Sequence, residues 1–231
     1  MAPVHIILAS ASPRRQELLG LTGLPFSVRP ADVDESLLPG EPPAGYVRRL
    51  ALEKARAARN GARPGQVVLA ADTTVALGNE ILGKPADAEE AVDMLRRLRG
   101  RTHQVYTAVA FYDPAAYRLV SALCATDVTM RDYAESEIEA YVASGDPLDK
   151  AGAYAIQNAS FHPVQSLQGC YTSVMGLPLC LVVQGLNALF PDLALPEPEL
   201  CQNQPDHDGS PSLAVLTGSQ TPVWLSPGDP S

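Results

Sequence analysis

Asp72 stands in "VVLAADTTVAL", residues 67–77, a run otherwise apolar apart from two threonines. A carboxylate set among apolar residues is costly unless it is paired, hydrogen-bonded or bound to a metal. It reads as a general base, a metal ligand or a turn aspartate. A second signal lies in "LASASPRRQELL", where Arg14 and Arg15 follow Ser12 and Pro13. Serine as a cap and proline at the first helical position mark a helix start. That end of a helix has unpaired N–H groups and partial positive charge, so acidic residues are expected there and two arginines oppose the dipole. Either the pair is a solvated surface feature, or the corner binds an oxyanion through the helix end and the paired hydrogen bonds of guanidinium.

Lys54 falls on the apolar stripe Val47, Leu50, Ala51, Ala55 and Ala58 of a helical pattern over residues 45–61. An inward lysine takes a partner, a phosphate being one, or packs its stem and lets its head reach water. Lys84 precedes Pro85, which holds the chain extended at a strand's end, a setting that suits ligand contact as well as ordinary surface. "LDKAGAYAIQNA" combines Lys150, small residues that let backbone approach a ligand, and Gln157, whose amide can read the edge of a base. The acidic "DVDES" carries Asp32, Asp34 and Glu35, which either help hold a hard divalent cation or are solvated.

Other chemistries have no support. The four histidines show no HxxxH or HExxH spacing, and no CxxC pair occurs among Cys124, Cys170, Cys180 and Cys201. The thiols are expected to be reduced, as in a cytoplasmic protein. There is no GxxxxGK[ST] loop, and Ser10 and Ser12 lack a GxSxG context.

The elements that must position these residues alternate strand and helix. Strand patterns fall at 4–10, 26–30, 66–77 and 80–83, with two long neighbouring ones near 103–113 and 117–132. Helical patterns follow Ser12 as far as Gly23, then cover 45–61, 87–100, 134–145 and 177–190. The expectation is an α/β (α+β mixed) fold, a central mixed twisted sheet flanked by helices. The 231 residues are 46% hydrophobic, enough for one sizeable core. No apolar run reaches 18 residues and no secretory signal is seen, so neither a membrane partner nor export is expected. Residues 191–231 hold eight prolines, six acidic residues and no Lys or Arg, and read as a disordered tail carrying Trp224. Without it, residues 1–190 hold 17 basic and 20 acidic residues, so nucleic acid is not an expected partner and any anion site is a local concentration of charge.

Taken together, "LASASPRRQELL", "RLALEKA", "AADTTV", "GKPADAEEA", "GRTHQVYTAVA", "DKAGAYAIQ" and "GCYTSVMGLPL" resemble, in order, the Maf family of nucleoside triphosphate pyrophosphatases over residues 4–190. The resemblance implies two lobes with a cleft, like the Maf and inosine-triphosphatase architecture, and often a homodimer. It implies Asp72 as the catalytic carboxylate. Ser10, Ser12, Arg14, Arg15, Lys54 and Lys84 would hold the triphosphate, and Glu35 would join Asp72 near a divalent cation (Mg2+, Mn2+ or Co2+). Arg14, Thr73 and Gln157 match the subgroup that hydrolyses dTTP and UTP to monophosphate and pyrophosphate. Asn158 departs from the family, which usually has glycine there. A role as a nucleotide-binding regulator of septum formation is the alternative.

Overall fold

The computed structural model describes residues 4–196 and 198, and within them seven strands form one sheet. In chain order they are β1 (His5–Leu8), β2 (Phe26–Val28), β3 (Gln66–Leu77), β4 (Glu80–Leu82), β5 (Thr102–Asp113), β6 (Arg118–Met130) and β7 (Val164–Gln168). The helices are α1 (Pro13–Gly20), α2 (Pro43–Ala58), α3 (Ala88–Leu98), α4 (Glu135–Ala143), the short α5 (Tyr171–Val174) and α6 (Leu179–Leu189). Spatial order is β2-β1-β3-β5-β6-β7. β1 runs parallel to β2 and β3, while β3–β5, β5–β6, β6–β7 and β3–β4 are antiparallel. The sheet is therefore mixed, as the alternating pattern leads one to expect.

β3 holds the key to the site. Strand side chains alternate between faces. Val67, Leu69 and Ala71 meet Leu18 and Leu19 of α1 and Leu179 and Val182 of α6, whereas Val68 and Ala70 meet Val47, Ala51 and Ala55 of α2. Small residues on both sides, Ala51 and Ala55 against Ala70, Ala108 and Ala110, let α2 lie close on the sheet. Asp72 continues the α2 face and Thr73 the α1 face. A third apolar cluster packs α3 and α4 against the far halves of β3, β5 and β6. The two long central strands, each of twelve residues and about 40 Å long, carry both lobes.

On its other edge β3 is only partly covered. β1 pairs with Gln66–Leu69 and β4 with Val75–Leu77. Residues 70–74 between them have no strand partner on that edge, and there the cleft opens.

Some boundaries differ from the sequence reading. α1 stops at Gly20 rather than Gly23, with Leu21 and Thr22 in a closing turn and Gly23 at φ +70°. α2 begins two residues early because Pro42 and Pro43 occupy its cap and first position. β7 was not legible as a strand, since three of its five residues are exposed and no apolar alternation marks it. Chain beyond residue 190 first turns back on the body. Pro191–Leu193 is a 3-10 turn, and Asn187 exchanges hydrogen bonds of 2.9 Å with Leu195 N–H and C=O. The remaining tail reading, with Cys201 and Trp224, lies outside the described residues; Cys124, Cys170 and Cys180 are buried. Among the described residues, no helix is long and apolar enough to cross a membrane.

Candidate active site

Strand alternation and the helical stripe bring Asp72 and Lys54 face to face. Both are buried, at 7% and 8% exposure, and Lys54 Nζ donates to Asp72 Oδ1 at 2.6 Å. The same ammonium lies 2.6 Å from Glu35 Oε1, contributed by the loop after β2. Lys54 is thus neither packed apolar stem nor free head: it bridges two carboxylates. Burial raises the Asp72 carboxyl above its ordinary value, against the charge and hydrogen bond of Lys54 and the charge of Arg15. Burial also opposes ionisation of Glu35, but the hydrogen bond and charge of Lys54, with Lys84 and Arg15, outweigh it and hold that carboxyl below its usual range. The two acids therefore shift in opposite directions: the Glu35 carboxyl moves below its ordinary value and the Asp72 carboxyl above its own. Asp32 and Asp34 take no part in this cluster; Asp34 instead accepts from Ser36 N–H at 2.9 Å.

Arg15 sits across the open edge of β3. Ser12 caps α1 with a long 3.5 Å contact to Arg15 N–H, and Pro13 occupies the first helical position, so the helix start is as its sequence indicates. The Arg15 guanidinium donates from Nε to Gly176 O at 2.9 Å, from Nη1 to Ser10 Oγ at 3.2 Å and from Nη2 to Thr73 Oγ1 at 3.3 Å. All three acceptors are neutral. Burial pulls the guanidinium below its ordinary value, with Asp72 and Glu35 pulling it back up. A desolvated cation held by neutral oxygens is a site made for an anion. Thr73 is itself fixed: its hydroxyl lies 3.0 Å from that of Thr107, which donates to Ser173 O at 2.8 Å. Gly176 is at φ +107°, and a Cβ there would lie 3.4 Å from Arg15 Nε. Neither the Gly176 carbonyl nor Thr107 was legible as part of the site, because a backbone acceptor leaves no mark in the sequence and Thr107 reads as an ordinary strand residue.

Arg14, Lys84 and Gln157 complete the surroundings. The cleft encloses about 860 Å³, and its lining includes Ser10, Ser12, Arg14, Arg15, Glu35, Lys54, Thr73 and Lys84 together with Asp146, Asp149, Lys150 and Gln157 of the 146–158 loop. Asp72 lies behind Lys54 and Glu35. Arg14 approaches only Asp149, at 3.9 Å, and Lys84 makes no ion pair among the described residues. Gln157 is exposed, at the tip of a turn. Ser10, Ser12, Arg14, Arg15, Glu35, Lys54, Thr73, Lys84 and Gln157 thus gather at one cleft, with Asp72 joined to it through Lys54 and Asp32 and Asp34 outside it, and Thr73 is occupied by Arg15 and Thr107 rather than turned free toward a ligand.

Glu35 and Asp72 are also the residues to weigh as cation ligands. Among the described residues no group of three or more His, Cys, Asp or Glu forms a closed metal cage. Two carboxylates converging on one ammonium, beside a cavity large enough for a nucleotide, fit a hard cation such as Mg2+, which is commonly held by one or two carboxylates with substrate oxygens completing the shell.

What the cleft can do follows from these parts. It holds a buried carboxylate of raised proton affinity, a cluster of basic side chains in which Arg15 is held only by neutral oxygens, and an exposed amide. That set serves hydrolysis of a polyanion bearing a hydrogen-bonding head group. Comparison with known proteins agrees. The chain is 54% identical over 181 residues to the dTTP/UTP pyrophosphatase of Anaeromyxobacter dehalogenans (strain 2CP-C), covering 78% of this chain and 90% of that protein. It is 50% identical over 184 residues to the dTTP/UTP pyrophosphatase of Geobacter sp. (strain M21), covering 80% and 95%. Likeness to solved structures is looser: the Staphylococcus aureus Ham1 protein is 16% identical, with a TM-score of 0.41 over 55% of this chain and 72% of that one. The family model described as Maf-like protein matches residues 5–189, a span that takes in every residue of the cleft, and the chain belongs to that family.

Proposed function

We propose that this enzyme hydrolyses dTTP and UTP to the nucleoside monophosphate and pyrophosphate, removing these or modified pyrimidine nucleotides from the cytoplasmic pool. The observation that carries the reading is buried Asp72, raised in proton affinity, at a cleft where the guanidinium of Arg15 is held only by neutral oxygens and Arg14 and Lys84 stand nearby. The names of its relatives supply the pyrimidine preference.

Water attacks the α-phosphorus, Asp72 takes its proton, and the bond to the bridging oxygen of the β-phosphate breaks. A carboxylate with a raised pKa is the better base near neutral pH. Arg15, held rigidly by three hydrogen bonds, and Arg14, Lys84 and Lys54 offset the negative charge that grows on the departing pyrophosphate. Glu35 and Asp72 would hold a divalent cation, which when bound supplies further charge neutralisation and acidifies water. Gln157 reads the base from the opposite wall, while Thr73 acts through the placement of Arg15. A homodimer is the proposed assembly, to be checked by sedimentation.

A panel of triphosphates scored for pyrophosphate release, with and without chelator, tests the reading. Rapid release from dTTP and UTP, slow release from purine triphosphates and loss of activity in chelator are expected. Equal rates on GTP and dTTP would remove the pyrimidine assignment, and nucleotide binding with no pyrophosphate release would remove the hydrolase itself.

A further inference from the structure

Gln157 is exposed and sits on a turn that is itself outside any strand or helix. A side chain of this kind discriminates between bases only if its backbone is fixed beforehand, because ordering a loose loop on binding consumes the free energy that would distinguish one base from another. The fixing device is visible in the hydrogen bonds. The turn runs from Ala155 to Asn158 and is closed by Asn158 N–H donating to Ala155 O at 3.1 Å. At its start, Ala155 N–H donates to Tyr141 Oη at 3.1 Å, and Tyr141 O–H donates to Asp146 Oδ2 at 2.7 Å. At its end, Asn158 Nδ2 donates to that same oxygen at 3.1 Å. Both ends of the turn are therefore tied to one carboxylate oxygen. The other oxygen, Asp146 Oδ1, accepts from Lys150 Nζ at 3.0 Å. Beyond the turn, Asn158 Oδ1 accepts from Ser160 and Phe161 N–H at 3.1 and 2.8 Å.

We propose that Asp146 and Asn158 are positioning residues that set the base-reading edge of Gln157. The proposal rests on the reading of Gln157 as the base contact. A glycine at position 158 would keep the turn's backbone hydrogen bond but lose the tie to Asp146 and both bonds accepted by the side chain. This chain thus fastens its recognition turn by a side-chain clasp that a glycine-bearing relative must do without.

Wild type, Gln157→Ala, Asn158→Ala, Asp146→Asn and the double variant of 157 and 158 are compared by kcat and KM for dTTP and GTP, with thermal midpoints alongside. Gln157→Ala is expected to shrink the dTTP-over-GTP ratio of kcat/KM by about tenfold or more. Asn158→Ala shrinks it by about fivefold, through KM for dTTP rather than kcat, and has no further effect once Gln157 is gone. Asp146→Asn, which keeps the shape but removes the charge that both donors share, moves the ratio in the same direction and stands in if Asn158→Ala does not fold. Should Gln157→Ala collapse the ratio while Asn158→Ala and Asp146→Asn leave it at the wild-type value, the positioning proposal fails and the base contact stands. An equal effect of Asn158→Ala with and without Gln157 also overturns it. No change on Gln157→Ala removes the base contact, and the proposal with it.

Discussion

On one wall of the cleft, Asp72 and Lys54 are held by a twelve-residue strand and a sixteen-residue helix packed together through alanine and valine. On the other, Gln157 rides on a turn tied down by Tyr141, Asn158 and Asp146. Close apolar packing leaves side chains little room to shift, which suits groups that must meet a reacting atom to within a fraction of an ångström. Polar ties at a partly solvated loop contribute about 1 kcal/mol each and can be exchanged singly. The difference teaches that the proposed catalytic pair and the proposed recognition turn can change independently: one belongs to the core, the other to a hydrogen-bonded loop.

The strongest way to break this comparison is Asp72→Asn. It keeps the shape and removes the charge, so turnover should fall about 1,000-fold with little change in KM. Residual turnover within about tenfold of wild type would show that the packed wall does not hold the base. The same residue predicts opposite pH trends. With Asp72 as the proposed base, activity requires the ionised carboxylate, so it falls on acidification through a pKa above the ordinary 3.8. Across that window the folded chain binds a proton that the unfolded chain has released, so Asp72 contributes stability that grows as pH falls. The wild type minus Asp72→Asn difference in urea stability should therefore shift toward the wild type at lower pH, while the acid limb of activity disappears with the variant's activity.

Next in size is the contrast between adjacent arginines. Arg15 makes three fixed hydrogen bonds and Arg14 only a 3.9 Å approach to Asp149. Arg15→Lys loses the planar fork and should lower kcat/KM about 100-fold, whereas Arg14→Lys costs about tenfold, mostly in KM. Similar losses at both positions would erase the distinction. Gly152→Ala probes the recognition side. Gly152 is at φ +69°, and a Cβ there would lie 2.9 Å from Val75 Cγ1, so a stability loss of about 2 kcal/mol is expected in chemical denaturation. The smallest effect is that of Thr107→Val. It frees Thr73, and through it Arg15, for a drop of about fivefold in kcat/KM, with a stability loss of about 1 kcal/mol from the lost bond to Ser173 O.

What the sequence revealed and what it hid follow the same division. Asp72 was conspicuous because a charge interrupts an apolar strand, and Lys54 because helical spacing turns it inward; both signals are periodic and local. The helix start at Ser12 was legible for the same reason. That Lys54 pairs with Asp72 required knowing that α2 lies on the even-numbered face of β3, a tertiary fact. The seat of Arg15 on Gly176 O was out of reach, since 161 residues separate the partners and one of them is a backbone atom. The Asp146 clasp was hidden because aspartate, tyrosine and asparagine with no periodic relation converge only once the 146–158 loop has closed.

The uncovered stretch of β3, residues 70–74 between the ends of β1 and β4, has a further consequence. An unpaired strand edge in a water-exposed sheet is an invitation to intermolecular pairing and aggregation. Here the bare edge is recessed and flanked by the cations Arg15 and Lys54, and β1 and β4 close it at both ends after five residues. A visiting strand would have to fit between those charged side chains and break their hydrogen bonds to gain a few ladder bonds. The recess that admits a small polyanion is thereby closed to another polypeptide, and the protein keeps an interior sheet edge permanently bare without risking fibre-like association.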